Sequence, residues 1–172
     1  MIKAVKGKTP KIDPTAFVHD SAVVAGDVEI GAYVSVWPCA VIRGDMNKVV
    51  IGANSNVQDN CVLHTKADRP LVIEENVLIA HNVNLHSCHI GKDATIGIAS
   101  IILDGADIGE GAFIAAGALV PPEHSIPAGM MAKGHPAKPT RAMTAEEREE
   151  HDNLVRAYVE EGQAYKETEK DV

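Results

Sequence analysis

An aliphatic residue returns every sixth position along most of this 172-residue chain. The runs are Val18, Val24, Ile30, Val36 and Ile42, then Ile51, Val57 and Leu63, then Ile73, Ile79 and Leu85. A last run goes from Ile90 through Ile96, Ile102, Ile108, Ile114 and Val120 to Ile126. Glycine often follows directly, as at Gly31, Gly52, Gly91, Gly97 and Gly109. Four positions on sits a small residue, such as Ala22, Ala40, Ser55, Cys61, Ala94 or Ala112. A period of six lays no continuous stripe on a helix of 3.6 residues per turn. It fits an all-β solenoid, a parallel β-helix in which each hexapeptide is one short strand and a corner. Three units close a triangular coil, and coils stack about 4.8 Å apart. The spacing predicts about six coils between Val18 and Met131. Aromatic residues are only 3% of the chain, as suits a core of small β-branched side chains.

The rest of the chain divides around that repeat. Residues 1–17 are expected to be an N-terminal segment, 18–131 the β-helix, 132–144 a linker and 145–168 a helix. The stretch PPEHSIPAGMMAKGHPAKPTRAM is expected to be irregular because proline and glycine punctuate it. Thr144 to Glu147 has the spacing of a capping box. Leu154, Val155, Tyr158, Gly162 and Tyr165 then form an apolar stripe at helical spacing. The acidic run before them suits the positive end of a helix dipole.

A net charge of −8 argues against nucleic acid or an anionic membrane as the main partner. There is no apolar run of about 20 residues, and the stretch MIKAVKGKTPKID has no apolar h-region, so no secretion signal is expected in it. Three cysteines without a disulfide pattern fit a reducing cytoplasm. Cys61 occupies a small inward position and reads as core. His19, His89, His124, His135 and His151 carry no mark of a site.

His64, His81 and His86 do. Three neutral imidazoles and one open position make a hydrating or hydrolytic zinc site, and Fe²⁺ or Co²⁺ suits the same ligands. The repeat is broken three times near them. Residues are added before Ile51 and between Thr65 and Val72, and the unit at Leu85 is one residue short. His64 and His86 each follow an inward aliphatic residue on the same face, one coil apart, so both point outward. Arg43 precedes them in that column. His81 sits two residues after Ile79, at the corner leaving another face, with Gln58 and Asp59 one coil below. Reaching His86 within one chain means crossing roughly 12–15 Å. A neighbouring subunit would bring its own corner to the first chain's face, and closing that contact around a ring gives a homotrimer.

VIRGD (41–45), NVQD (56–59), the histidine triplet, ILDG (102–105) and GHPAK (134–138) resemble the γ-class carbonic anhydrases and their close homologues, within their short-loop subgroup. The resemblance spans nearly the whole chain. It implies a left-handed β-helix, a homotrimer, and a metal held between subunits by His64, His81 and His86. It also implies catalytic roles for Arg43, Asp45, Gln58 and Asp59, and places Tyr158 near the metal. The implied activity is reversible hydration of CO₂ to bicarbonate by a metal-bound hydroxide. Gln58 would orient the reactants, while Asp59 across the interface and Asp45 in the same chain hold Arg43. The acidic loop of fast members is here the short TKADRPL, and the acidic residue expected after RGD is Met46. Other readings are metal-dependent hydrolysis of an acyl-CoA thioester and a metal-stabilised trimeric scaffold.

Overall fold

The computed structural model describes residues 1–168. The chain winds into a left-handed parallel β-helix of about seven turns, followed by one helix, Ala145–Thr168. The six-residue aliphatic positions all point into a single core, where Val24, Ile42, Leu63, Ile79, Leu85 and Ile102 are fully buried. The small residues four positions on are buried too, because each lies inside a corner. Between them, three positions after the aliphatic residue, the backbone turns through a left-handed conformation. Asn54, Asn60, Asn76 and Asn82 have φ of 58–61° there, a region asparagine tolerates better than most residues. Along one corner Asn54 donates to Asn76, and Asn76 to Asp93, at 3.0 and 2.9 Å. The glycines after the aliphatic positions have another cause. A Cβ on Gly52 would stand 2.4 Å from the Glu74 carbonyl carbon of the next coil.

Residues 1–17 do not precede the solenoid but begin it. Strands Ile2–Lys3 and Lys11–Ile12 both pair in parallel with Val23–Ile30, and Phe17–Val18 pairs with Ser35–Val36. This segment supplies the turn beyond the expected six. At the other end, the stretch expected to be irregular folds as an antiparallel hairpin, Met130–Gly134 with Ala137–Ala142. Proline breaks a central strand but is tolerated on a sheet edge, and Pro139 lies on the outermost strand. The hairpin covers the open edge of the last coil.

The three faces present different outward residues. Face one carries Val23, Val41, Val62, Asn84, Ile101 and Leu119 in register, beside Arg43, His64 and His86. Face two carries Lys11, Glu29, Val50, Val72, His89, Asp107 and Ser125. Face three carries Phe17, Ser35, Asn56, Leu78 and Thr95. The C-terminal helix lies on face three. Trp37 stands edge-on to Phe17, Tyr158 and Tyr165 at centroid distances of 5.6, 5.7 and 5.2 Å. Gly162 lets the helix approach, since its Cβ would stand 3.0 Å from that of Ser35. The capping box forms: Thr144 accepts from the Glu147 amide at 3.2 Å, and its own amide donates to Glu147 at 2.9 Å. Arg141 and the Thr144 amide hold the Glu147 carboxyl down at about 2. Leu154, placed in the buried stripe by its spacing, instead points outward and is 44% exposed.

His151 is buried on the helix together with Val155 and Gly162 of the expected stripe. It is 7% exposed, its Nε2–H donates to the Asn76 carbonyl at 2.9 Å, and Thr95 donates to its Nδ1 at 2.8 Å. Burial outweighs the attraction of the Asn76 carbonyl, Asp152 and Asp93, so the ring is held neutral with its pKa below the usual histidine value. The unfolded chain therefore binds a proton as pH falls below about 6.5 while the folded chain does not. Stability contributed by this histidine is complete above that value and is lost on acidification. The melting temperature should fall between about pH 7.5 and 5.5, and fall less in His151→Gln. Equal losses in the two proteins would show that His151 does not couple docking to pH.

Candidate metal centre on face one

Strand pairing sets Arg43 opposite His64 and His64 opposite His86, in the outward column expected from the repeat. The imidazoles face each other, with His64 Nδ1 and His86 Nε2 3.2 Å apart. Each outer nitrogen has its own carboxylate. His64 Nε2 donates to Asp45 Oδ1 at 3.0 Å, and His86 Nδ1 donates to Asp104 Oδ1. These partners assign the tautomers. Both outer nitrogens are then N–H donors, and in neutral rings both inner ones are acceptors, within hydrogen-bond distance of each other. Two lone pairs facing each other at 3.2 Å repel unless a proton or a metal ion lies between them. Two ligands of a tetrahedral zinc ion stand about 3.3 Å apart, so the pair fits such an ion.

Arg43 donates to the second Asp45 oxygen at 2.6 Å, as expected within the chain. Burial works against the Asp45 carboxylate, but hydrogen bonds from Arg43 and His64 more than offset it, and its pKa falls below the ordinary value. Asp104 behaves alike: burial opposes its charge, and His86 and Lys66 overcome that opposition.

His81 stands apart from this pair. It lies at the corner beyond strand Leu78–Ile79, where its Nδ1 donates to Asp59 at 2.9 Å and leaves Nε2 bare. Among the described residues, no group of three or more His, Cys, Asp or Glu side chains is arranged around one point. One chain thus gathers two of the three histidines, and the third faces elsewhere with its own carboxylate. Asp59, expected to reach Arg43 of a neighbour, is engaged within the chain by His81. Gln58 is 5% exposed, and its amide donates to Asn56 at 3.0 Å, which leaves its carbonyl oxygen as the remaining acceptor. Tyr158 reaches the His81 corner, where Trp37, Pro38, Asp59, His81, Tyr158 and Tyr165 line a cleft of about 440 Å³. Burial, with the nearby Asp59 charge, raises the Tyr158 pKa.

Spacing does not pick out Asp104, Lys66 or Ser87. The ILDG motif contains Asp104, and corner counting from Ile102 places it one coil beyond His86. His89, which carries no mark of a site in the sequence, is paired with two carboxylates. It lies in strand His89–Ile90 on face two, between Glu74 at 3.0 Å and Asp107 at 2.6 Å. Burial opposes its charge, but both carboxylates raise its pKa. Cys61 and Cys88 are core residues; burial pushes the Cys61 thiol up to about 12, so it is inert.

Residues 9–44 and 87–122 match the sequence family described as bacterial transferase hexapeptide (six repeats). A carbonic anhydrase of Geobacillus kaustophilus (strain HTA426) is 49% identical over 166 residues, covering 96% of this chain and 91% of that protein. The carnitine operon protein CaiE of Proteus sp. (strain LE138) is 44% identical over 140 residues, 81% of this chain and 71% of that one. A Bacillus cereus protein of known crystal structure, provisionally described as an acetyltransferase, matches with a TM-score of 0.97 at 50% identity, with 98% of each chain covered. Repeat, motifs and relatives make this chain a member of the hexapeptide-repeat family to which the γ-class carbonic anhydrases belong.

Proposed function

We propose that this protein catalyses the reversible hydration of CO₂ to bicarbonate in a homotrimer, at a divalent metal held between neighbouring chains. The carrying observation is the pair of bare nitrogens on His64 and His86, 3.2 Å apart with a carboxylate behind each. His81 of the adjacent chain is the third ligand. Face one supports the trimer: helix covers face three, charged side chains flank the two valines of face two, and face one keeps Val62 41% exposed beside the histidine column. A largely apolar strip of this kind, interrupted only by Asn84 in its column, suits an interaction surface. Zinc, iron(II) or cobalt(II) bound there would acidify a coordinated water and so supply a nucleophile near neutral pH.

The protein's own groups do the rest. Asp45, Asp59 and Asp104 hold each ring with one nitrogen free. Gln58, fixed through Asn56, offers its carbonyl oxygen to orient a water proton. Arg43, steadied by Asp45, offers the guanidinium remaining on its far side to an anionic product. Asp45 is engaged twice and is a poor proton carrier. Met46 is 51% exposed and has no carboxylate to offer. Proton export should therefore limit turnover.

The test is stopped-flow CO₂ hydration on protein loaded with zinc, iron(II) or cobalt(II). Added imidazole buffer should raise kcat several-fold and kcat/KM little. No hydration with any of the three metals would remove this function, and a buffer-insensitive kcat would remove the proton-transfer argument. The aromatic cleft beside His81 favours one second reading, hydrolysis of an acyl thioester, because it is larger than CO₂ requires. A thioester panel in parallel separates the two.

A further inference from the structure

We infer that Asp104 and Lys66 are positioning residues for His86, together holding its imidazole as the Nδ1–H tautomer so that Nε2 stays free for the cation. The inference rests on the metal-site reading above and extends it to a loop to which that reading gives no task.

Asp104 accepts from His86 Nδ1 with one oxygen and from Lys66 Nζ with the other, the latter at 3.2 Å. Lysine has donors only, so it always claims an acceptor on the group it faces. The same order of cation, carboxylate and imidazole recurs one coil away as Arg43, Asp45 and His64. There the carboxylate holds the opposite ring nitrogen, which is why the two bare nitrogens converge.

The breaks in the repeat explain how Lys66 arrives there. The added residues after Thr65 form a short loop, and the shortened unit after Leu85 places Ser87 beneath it. Ser87 is fully buried with φ 44°. Its hydroxyl accepts from the Lys66 amide at 2.6 Å and donates to the Arg69 carbonyl at 3.0 Å. Asn47 holds the Ala67 carbonyl at 2.9 Å, and Arg69 pairs with Glu123 at 2.7 Å. A loop fastened at successive residues gives the Lys66 side chain a fixed origin. An exposed ion pair without such support would be worth little.

The experiment reads the His86 ring nitrogens by ¹⁵N–¹H correlation in metal-free, ¹⁵N-labelled protein, and zinc affinity by chelator competition. Wild type should show a protonated Nδ1. In Asp104→Asn the new carboxamide must turn its oxygen to Lys66 and its NH₂ to His86, which forces the proton to Nε2. Zinc affinity should fall about 10–100-fold, as on loss of other carboxylates behind a metal-bound histidine. Adding Lys66→Met to that variant frees the carboxamide to turn round, so the Nδ1–H form and part of the affinity should return. Lys66→Met alone should weaken zinc several-fold, with Lys66→Arg rescuing it. An unchanged tautomer in Asp104→Asn would overturn the inference, as would wild-type affinity in both single variants. The readouts do not involve CO₂, so a failed hydration assay beside the expected tautomers and affinities would overturn the reaction and leave the positioning role standing.

Discussion

Trimers assembled from His64→Ala and His81→Ala chains together should regain about a quarter of wild-type metal and activity, although each variant alone has almost none. Neither pure assembly contains a whole site. His64→Ala lacks one of the two facing imidazoles on every face one. His81→Ala lacks the corner ligand at every junction. In a mixed ring, a His81→Ala chain still presents His64 and His86, and a His64→Ala neighbour still presents His81 with Asp59 behind it. Each junction needs the right chain on both sides, so random mixing completes about one in four. Zinc content measures this independently of the reaction. Mixed trimers proven by mass spectrometry but still devoid of metal would mean that the three histidines never meet across an interface.

Gly52→Ala should cost the fold about 3 kcal/mol or more, and Gly97→Ala a similar amount. The added methyl at position 52 would stand 2.4–2.6 Å from the Glu74 and Glu75 backbone, and at position 97 it would stand 2.5 Å from the Ile114 carbonyl oxygen. These are backbone atoms of the adjacent coil, so no rotamer relieves the overlap. Two coils must part, which stretches the parallel ladder around Ile73 or Ile114. A solenoid transmits such a fault mainly to its neighbouring coils. Gly117→Asn is the control. Gly117 has φ 68° and open space where a side chain would begin, and asparagine already adopts that backbone at Asn60 and Asn82. It should be neutral within a few tenths of a kcal/mol, or about 0.5 at most. Urea unfolding measures all three. A Gly52→Ala protein as stable as wild type would refute close coil contact as the reason for that glycine.

The two glycine classes show what a single sequence discloses. Both recur in the hexapeptide, and counting alone distinguishes those that follow the aliphatic residue from those at the corner. Counting likewise places Arg43, His64 and His86 in one column and sets His81 apart. It can do so because a solenoid coil has a nearly constant length, so sequence separation converts directly into position. The same counting fails where local signals are outweighed by contacts from elsewhere. Proline and glycine after Val120 suggest irregular chain, yet the open edge of the last coil draws Ala137–Ala142 into a hairpin. Helical periodicity rightly chooses Val155 and Gly162 but also Leu154, whereas the polar edges of Asn76 and Thr95 bury His151.

The parallel coil, the shared face of two histidines, the separation of the third, the capped helix and the family were all legible in the order of residues. Three things were not, and each emerged from the folded chain: which carboxylate stands behind each ring, the seating of the inserted loop on Ser87, and the exposure of apolar face one without the cover given to face three. The difference is one of range. Strand direction and coil register follow from spacing within the chain, whereas tautomer, charge pairing and exposure depend on atoms brought together from distant coils, and period six does not say which those are.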